Sequence, residues 1–159
     1  MRRRDISRPQ PKGTRWLLVA HLLFAGCAAT IPIAPKFVDE SAKTFAPPTG
    51  QAAIYIVREN AYKGKAILFQ VALDGKLLGG IAAGTYYAPT VLPGDHTITA
   101  LSNENQDSTK VTVEAGSVYF IKVEPHWGMV SARVGLKQLS FAEGKPLVAA
   151  SALAAGIGP

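Results

Sequence analysis

Several side chains in this sequence have the types that chemistry needs. Asp95-His96, with serines elsewhere, are the parts of a Ser-His-Asp nucleophile. That chemistry requires the imidazole to take the serine proton while a carboxylate holds the ring, an arrangement in space that sequence does not fix. No Gly-x-Ser-x-Gly elbow occurs, and Asp95-His96 directly after Pro93-Gly94 reads more simply as a turn leading into a strand. His96, His126 and scattered carboxylates lack metal-ligand spacing. Gly79-Gly80 and Gly84 are not followed by the Lys-Ser/Thr of a phosphate loop, so neither metal nor cofactor is expected. Recognition has better material. Glu124-Pro125-His126-Trp127-Gly128-Met129 reads as a loop presenting His126 and Trp127, and Arg58 and Tyr62 follow a strand end where charge should reach solvent. For Trp127 the competing reading is packing, since tryptophan is mostly buried. The remaining candidate is the single thiol, Cys27.

Cys27 closes an address. Three arginines open the chain, Pro9 and Pro11 follow, and Trp16–Ala25 is an apolar run. As a helix that run rises about 15 Å, half of a hydrocarbon core of roughly 30 Å, so it is too short to span a bilayer. A basic flank, a short apolar run and small residues after it form the pattern of a secretory signal. Leu23, Phe24, Ala25 and Gly26 before Cys27 resemble the bacterial lipobox, where a signal peptidase cuts before a cysteine already carrying diacylglycerol. The small pair Ala25-Gly26 fits the peptidase and the thiol takes the lipid, although Phe24 stands where that motif usually has Leu. A buried, inert thiol is the alternative. Residues 1–26 are therefore read as a lipoprotein signal peptide, with a membrane partner through the lipid on Cys27. The mature chain would hold no disulfide, so its core must suffice in an oxidising compartment. Ala28 stands where an Asp would resemble an inner-membrane retention signal, which points to the outer membrane, facing the periplasm. Arg3-Arg4-Asp5-Ile6 faintly resembles a twin-arginine signal, but the apolar run starts too far downstream.

The charge agrees with export and argues against nucleic acid. Net charge is +6 over 159 residues, yet the first 26 hold six of the 17 basic residues and one of the 11 acidic ones. The rest of the chain is near neutral and lacks the electrostatic footprint that a polyanion needs.

Residues 27–50 carry Pro32, Pro35, Pro47 and Pro48 without sustained period, and read as a lipid-anchored linker with a reach of roughly 75 Å at about 3.3 Å per residue. Part of it, Ile31–Val38, has the alternative of lying on the domain as an edge strand. From Gln51 the period becomes two, which predicts strands over 52–58, 67–73, 76–81, 85–92, 96–101, 109–114, 118–123 and 130–139. Asp74-Gly75 is a two-residue hairpin turn, Pro93-Gly94 a turn pair, and Ser102–Asp107 a polar loop without an apolar anchor. The expected fold is all-β: an antiparallel β-sandwich of about eight short strands over 51–145. The Ala-rich tail 146–159 has room for one short helix starting at Pro146. Ser140–Glu143 has capping-box spacing, but Gly144 and Pro146 argue for a turn there.

The stretches Ile54–Arg58, Val71-Ala72-Leu73-Asp74-Gly75-Lys76-Leu77-Leu78-Gly79, Gly84-Thr85-Tyr86, Leu92-Pro93-Gly94-Asp95-His96-Thr97-Ile98 and Glu114–Phe120 resemble a family of bacterial lipoproteins. Its globular part is catalogued as domain of unknown function 2846. The resemblance covers about residues 48–125, and its middle is also similar to the small β-sandwich repeats called PEGA domains. These motifs are turn chemistry, so they speak to fold, and the resemblance implies no catalytic residues.

The function expected from all this is a cell-envelope lipoprotein with a non-catalytic binding or structural module and an envelope protein or glycan as partner. An inhibitor or accessory subunit of another envelope protein is the alternative, with a small periplasmic hydrolase behind it. The core is expected from Ile54, Ile56, Val71, Leu73, Ile98, Val111, Val113, Val118 and Phe120, and a chain starting near Pro48 is expected to fold.

Overall fold

The computed structural model describes residues 29–156. Cys27 and the lipobox residues Leu23, Phe24, Ala25 and Gly26 lie outside the described residues, as does the signal peptide. In chain order the elements are α1 (Lys36–Ala42), β1 (Ala52–Arg58), β2 (Phe69–Leu73), β3 (Lys76–Ile81), β4 (Thr85–Tyr87), β5 (Thr90–Val91), β6 (Gly94–Leu101), β7 (Gln106–Val113), β8 (Val118–Trp127), β9 (Ala132–Leu139), α2 (Phe141–Ala149) and β10 (Ala152–Leu153). One sheet runs β10-β4-β1-β8-β9 with β5 also on β1, and the other runs β3-β2-β6-β7. The chain is an all-β sandwich with two short helices. Most pairings are antiparallel, but β1 runs parallel to β8 and β10 parallel to β4.

Alternation decides which side chains meet between the sheets. Ile54, Ile56, Ile121 and Val123 from one sheet interlock with Phe69, Val71, Ile98, Val111 and Val113 from the other. The opposite face of the first sheet is also covered, so β1 is buried along its whole length. There Tyr55, Tyr86 and Phe120 pack under α2 and Phe45. Every expected core residue is buried except Val118, which is partly covered at a strand start. The pair Tyr86-Tyr87 straddles two faces and both are buried, Tyr86 donating to Asp39 and Tyr87 to the Gly80 carbonyl.

The two resemblance motifs at the turns touch each other. Asp74 and Gly75 both take positive φ, as a type I′ hairpin requires. Asp74 then accepts from the Thr97 N–H at 2.7 Å and pairs with His96 Nδ1 at 2.6 Å, fastening the hairpin tip to β6.

The sequence expectation needs correction in four places. The expected strand 85–92 breaks into β4 and β5 at Ala88-Pro89, where proline has no N–H for the ladder. The polar loop ends sooner, because β7 already begins at Gln106. Residues expected as a linker are docked, as the alternative for Ile31–Val38 had it, but through one bridge, Ile33 to Ala154 beside β10, and then α1 rather than a full edge strand. Asp39 holds α1 down by accepting from the Tyr86 hydroxyl, the Leu153 N–H and Lys43. Finally, the tail helix begins at Phe141 rather than Pro146. Ser140 and Glu143 form a complete capping box, and Gly144 brings the helix against the Phe120 ring where a Cβ would collide.

Candidate functional site

Asp95 and His96 are bonded to other partners and not to each other. Asp95 accepts from the Thr112 hydroxyl across the ladder. Both ring nitrogens of His96 are engaged by acceptors, Nδ1 by Asp74 and Nε2 by the Leu92 carbonyl at 2.8 Å. Two acceptors favour the protonated ring, and the hydrogen bond to the Asp74 carboxylate raises its pKa above the ordinary value. With both nitrogens already bonded, neither is turned toward a nucleophile. Among the described residues no three His, Cys, Asp or Glu side chains converge as a metal site.

Arg58 does not reach solvent, contrary to the sequence expectation. It is 1% exposed, and its guanidinium donates to the carbonyls of Gly64, Ile67 and Ile81 over the face of Phe69. Burial lowers its pKa to about 10. The loop 59–68 folds back over the strand end and wraps the charge in carbonyl oxygens. Arg58 is the staple of that loop, and Tyr62 is fully displayed on it.

The segment around Trp127 also differs from expectation. It is not a loop: β8 continues through Pro125 and His126 to Trp127, paired with β9 as His126↔Arg133 and Trp127↔Ala132. Pro125 is tolerated because it faces Val134 in a non-hydrogen-bonded register, Val134 spending its N–H and C=O on the Asn105 side chain. On its other side β1 has ended, the last register being Val57↔Lys122. The His126 ring lies over Gly135, where a Cβ would collide with Nε2.

The turn Gly128–Ser131 that joins β8 to β9 is held from outside. Glu104 accepts from the N–H groups of Met129, Val130 and Ser131, which draw its carboxyl below the usual range. Gly128 has no room for a side chain against Glu104 and the Ser131 carbonyl. Asn105 and Asp107 continue the row, Asp107 accepting from the Leu136 N–H at 2.7 Å, so these two side chains occupy the open edge of β9 beyond the turn that Glu104 holds.

The result is a fixed tip of large apolar side chains in water. Trp127 is 84% exposed, Met129 99%, Val130 95% and, from the neighbouring loop, Tyr62 95%. Lys63 lies over the Trp127 ring at 4.9 Å. The two segments that the sequence offered separately therefore meet. A groove of about 320 Å³ is lined by Arg58, Glu59, Lys122, Glu124 and His126, and a second of about 350 Å³ by Lys63, Ile67, Trp127 and Val130. Sequence reasoning missed Glu104 and Asn105, which sit in the polar loop that looked unanchored. Their signal was the acidic and amide run Asn103–Asp107 at a strand start. It also missed Met129 and Val130, whose apolar pair directly after Gly128 marked the tip.

A family profile described as "Protein of unknown function (DUF2846)" matches residues 48–135. A protein of Haemophilus influenzae described as an uncharacterized protein is 30% identical over 128 residues, covering 80% of this chain and 75% of that protein. The matched span takes in both turn motifs, the Arg58 loop, the Glu104 row and the whole tip, and on it this chain belongs to the DUF2846 family.

Proposed function

We propose that this chain is a lipid-anchored protein of the bacterial cell envelope, on the outer membrane and facing the periplasm, whose PEGA-like sandwich is a non-catalytic contact module. The observation that carries the reading is the Trp127 end. Four large side chains stand out in water there: Met129 and Val130 on a turn whose three N–H groups are bonded by one carboxylate, Trp127 at the strand end before it, and Tyr62 on the neighbouring loop. A fold gains nothing for its own core from such a display, whereas a contact surface gains large anchors on a backbone that is already ordered. The hydrolase alternative has no base in His96, both of whose nitrogens are taken. The inhibitor alternative calls for a long protruding loop, and this tip is a short hairpin.

Two measurements test the reading. Cys27→Ala should leave an uncut, unlipidated precursor, since no other thiol exists in the chain. A processed Cys27→Ala protein of unchanged lipid content refutes the anchor. Trp127→Ala should change the unfolding free energy by no more than about 0.5 kcal/mol, as exposed substitutions do. A loss of several kcal/mol makes Trp127 a packing residue and removes the contact module.

A further inference from the structure

The apolar tip and the start of the described chain lie at one end of the molecule. The Ala29 N–H donates to the Lys65 carbonyl at 3.2 Å. Lys65 belongs to the same short loop as Lys63, which covers Trp127, and Gly64, which abuts Pro125. Cys27 stands two residues before Ala29, at most about 7 Å of extended chain. A lipid on Cys27 therefore leaves the domain beside the tip, with no slack to hold the domain away from the bilayer.

The charges at this end suit a lipid surface. Glu59 and Glu124 share Lys122 at 2.9 and 3.1 Å, and Glu104 is bound to the turn and feels the charge of Arg133. Lys63, Lys65 and Arg133 are exposed around the apolar side chains. Tryptophan and tyrosine favour the headgroup level, methionine and valine reach the first acyl carbons, and lysine and arginine meet anionic phosphates.

We propose that Tyr62, Trp127, Met129 and Val130 dip into the surface of the membrane that holds the anchor, so that the sandwich stands on the bilayer tip-down. This inference rests on the lipoprotein reading and names the lipid surface as what the contact end meets. The tip orients the domain, and the covalent lipid retains it.

After removal of residues 1–26, which include Trp16, Trp127 is the sole tryptophan and its fluorescence reports the tip alone. The mature protein, purified from membranes, is reconstituted into vesicles of phosphatidylethanolamine and phosphatidylglycerol, with bromine on the upper acyl chains or without. Its intact mass is measured in parallel. The expected result is a blue-shifted emission that loses about half or more of its intensity on brominated vesicles, as for an indole at the interface. The double variant Met129→Asp, Val130→Asp should carry the same lipid mass and lose most of that quenching. Should the lipidated protein emit as in water and equally on both vesicles, the bilayer contact is wrong while the anchor stands, and the end faces a protein or glycan. Quenching unchanged in the double variant also overturns the proposed insertion. A mature chain whose mass lacks diacylglycerol overturns the lipoprotein reading and this inference together.

Discussion

Arg58 carries its charge into the sandwich with carbonyl oxygens rather than an acid to meet it. Removing the guanidinium takes a donor from three carbonyls, of which Gly64 keeps the Ile67 N–H, and frees the loop that bears Tyr62. Arg58→Ala should therefore cost about 3 kcal/mol in denaturant unfolding. Arg58→Lys should recover little, because one ammonium cannot span three carbonyls from a planar fork. A near-neutral Arg58→Ala would mean that the loop holds itself. His96 and Asp74 make a second residue-scale test, through pH. His96 is raised above its ordinary 6.5, so its contribution is complete below about that pH and is lost as pH rises through the folded value. At Asp74 burial works upward, but the bonds from His96 and Thr97 outweigh it and lower the pKa from 3.8, so its contribution is lost as pH falls through that lowered value. The pair thus stabilises most between about pH 4 and 6.5, by about 1 kcal/mol or less because Asp74 is half exposed. Asp74→Asn should flatten the decline in stability between pH 6 and 8, measured by urea unfolding. An identical decline in the variant would assign it to other groups. None of this was legible at Arg58. The rule that a strand-end charge seeks water fails when the next ten residues fold back over it, and nothing local in Glu59–Leu68 announces that they do.

At the scale of elements, alternation was the reliable signal. β1, β2, β6 and β7 each put the expected residues into the core because a period of two leaves no choice of face. Signals that depend on a partner element were misread. The capping box at Ser140 was visible, but the weight given to Gly144 and Pro146 ignored what a missing Cβ does against Phe120. The extension of β8 through Pro125 was hidden because it depends on Asn105, some twenty residues earlier, taking over the hydrogen bonds of Val134. The row Glu104, Asn105 and Asp107 is a device of one sheet that protects the edge of the other, and it makes the turn at the tip rigid. Glu104→Gln keeps the size and removes the charge that the three N–H groups share. Amide exchange at Val130 and Ser131 should then accelerate several-fold, while the core amides of Ile54 and Ile121 stay as they were. Exchange that is unchanged at the turn would show that the hairpin needs no outside support.

At the scale of the whole molecule, the segment before the sandwich decides stability and, under the proposed anchoring, placement. Its prolines and lack of period read as a linker, yet tertiary contacts override that composition. Phe45 adopts a left-handed φ of 55° that turns its ring onto Tyr55 and Phe120, with centroids at 5.1 and 6.0 Å, and Phe141 closes the cluster. Burial alone would push the Asp39 carboxyl up, but Lys43, Tyr86 and the Leu153 N–H outweigh it and hold it below the usual range. Ile31 packs against the main core and Ala34 donates to the Leu153 carbonyl at 2.9 Å. A chain beginning at Pro48 loses all of these at once. Deleting one packed aromatic costs about 3 kcal/mol and each lost buried hydrogen bond about 1 kcal/mol, a large share of the stability of a domain this size. A chain starting near Pro48 is thus expected to fold with less stability than the longer one. Against a chain beginning at Ala29, it should show a urea midpoint lower by several kcal/mol in free energy at unchanged slope per residue, and increased dye binding at the uncovered Tyr55, Tyr86 and Phe120 face. Equal midpoints would mean that α1 and Phe45 only rest on the sheet. In that case the segment would swing as a tether after all, and Ala29 would no longer fix the proposed anchor beside Trp127.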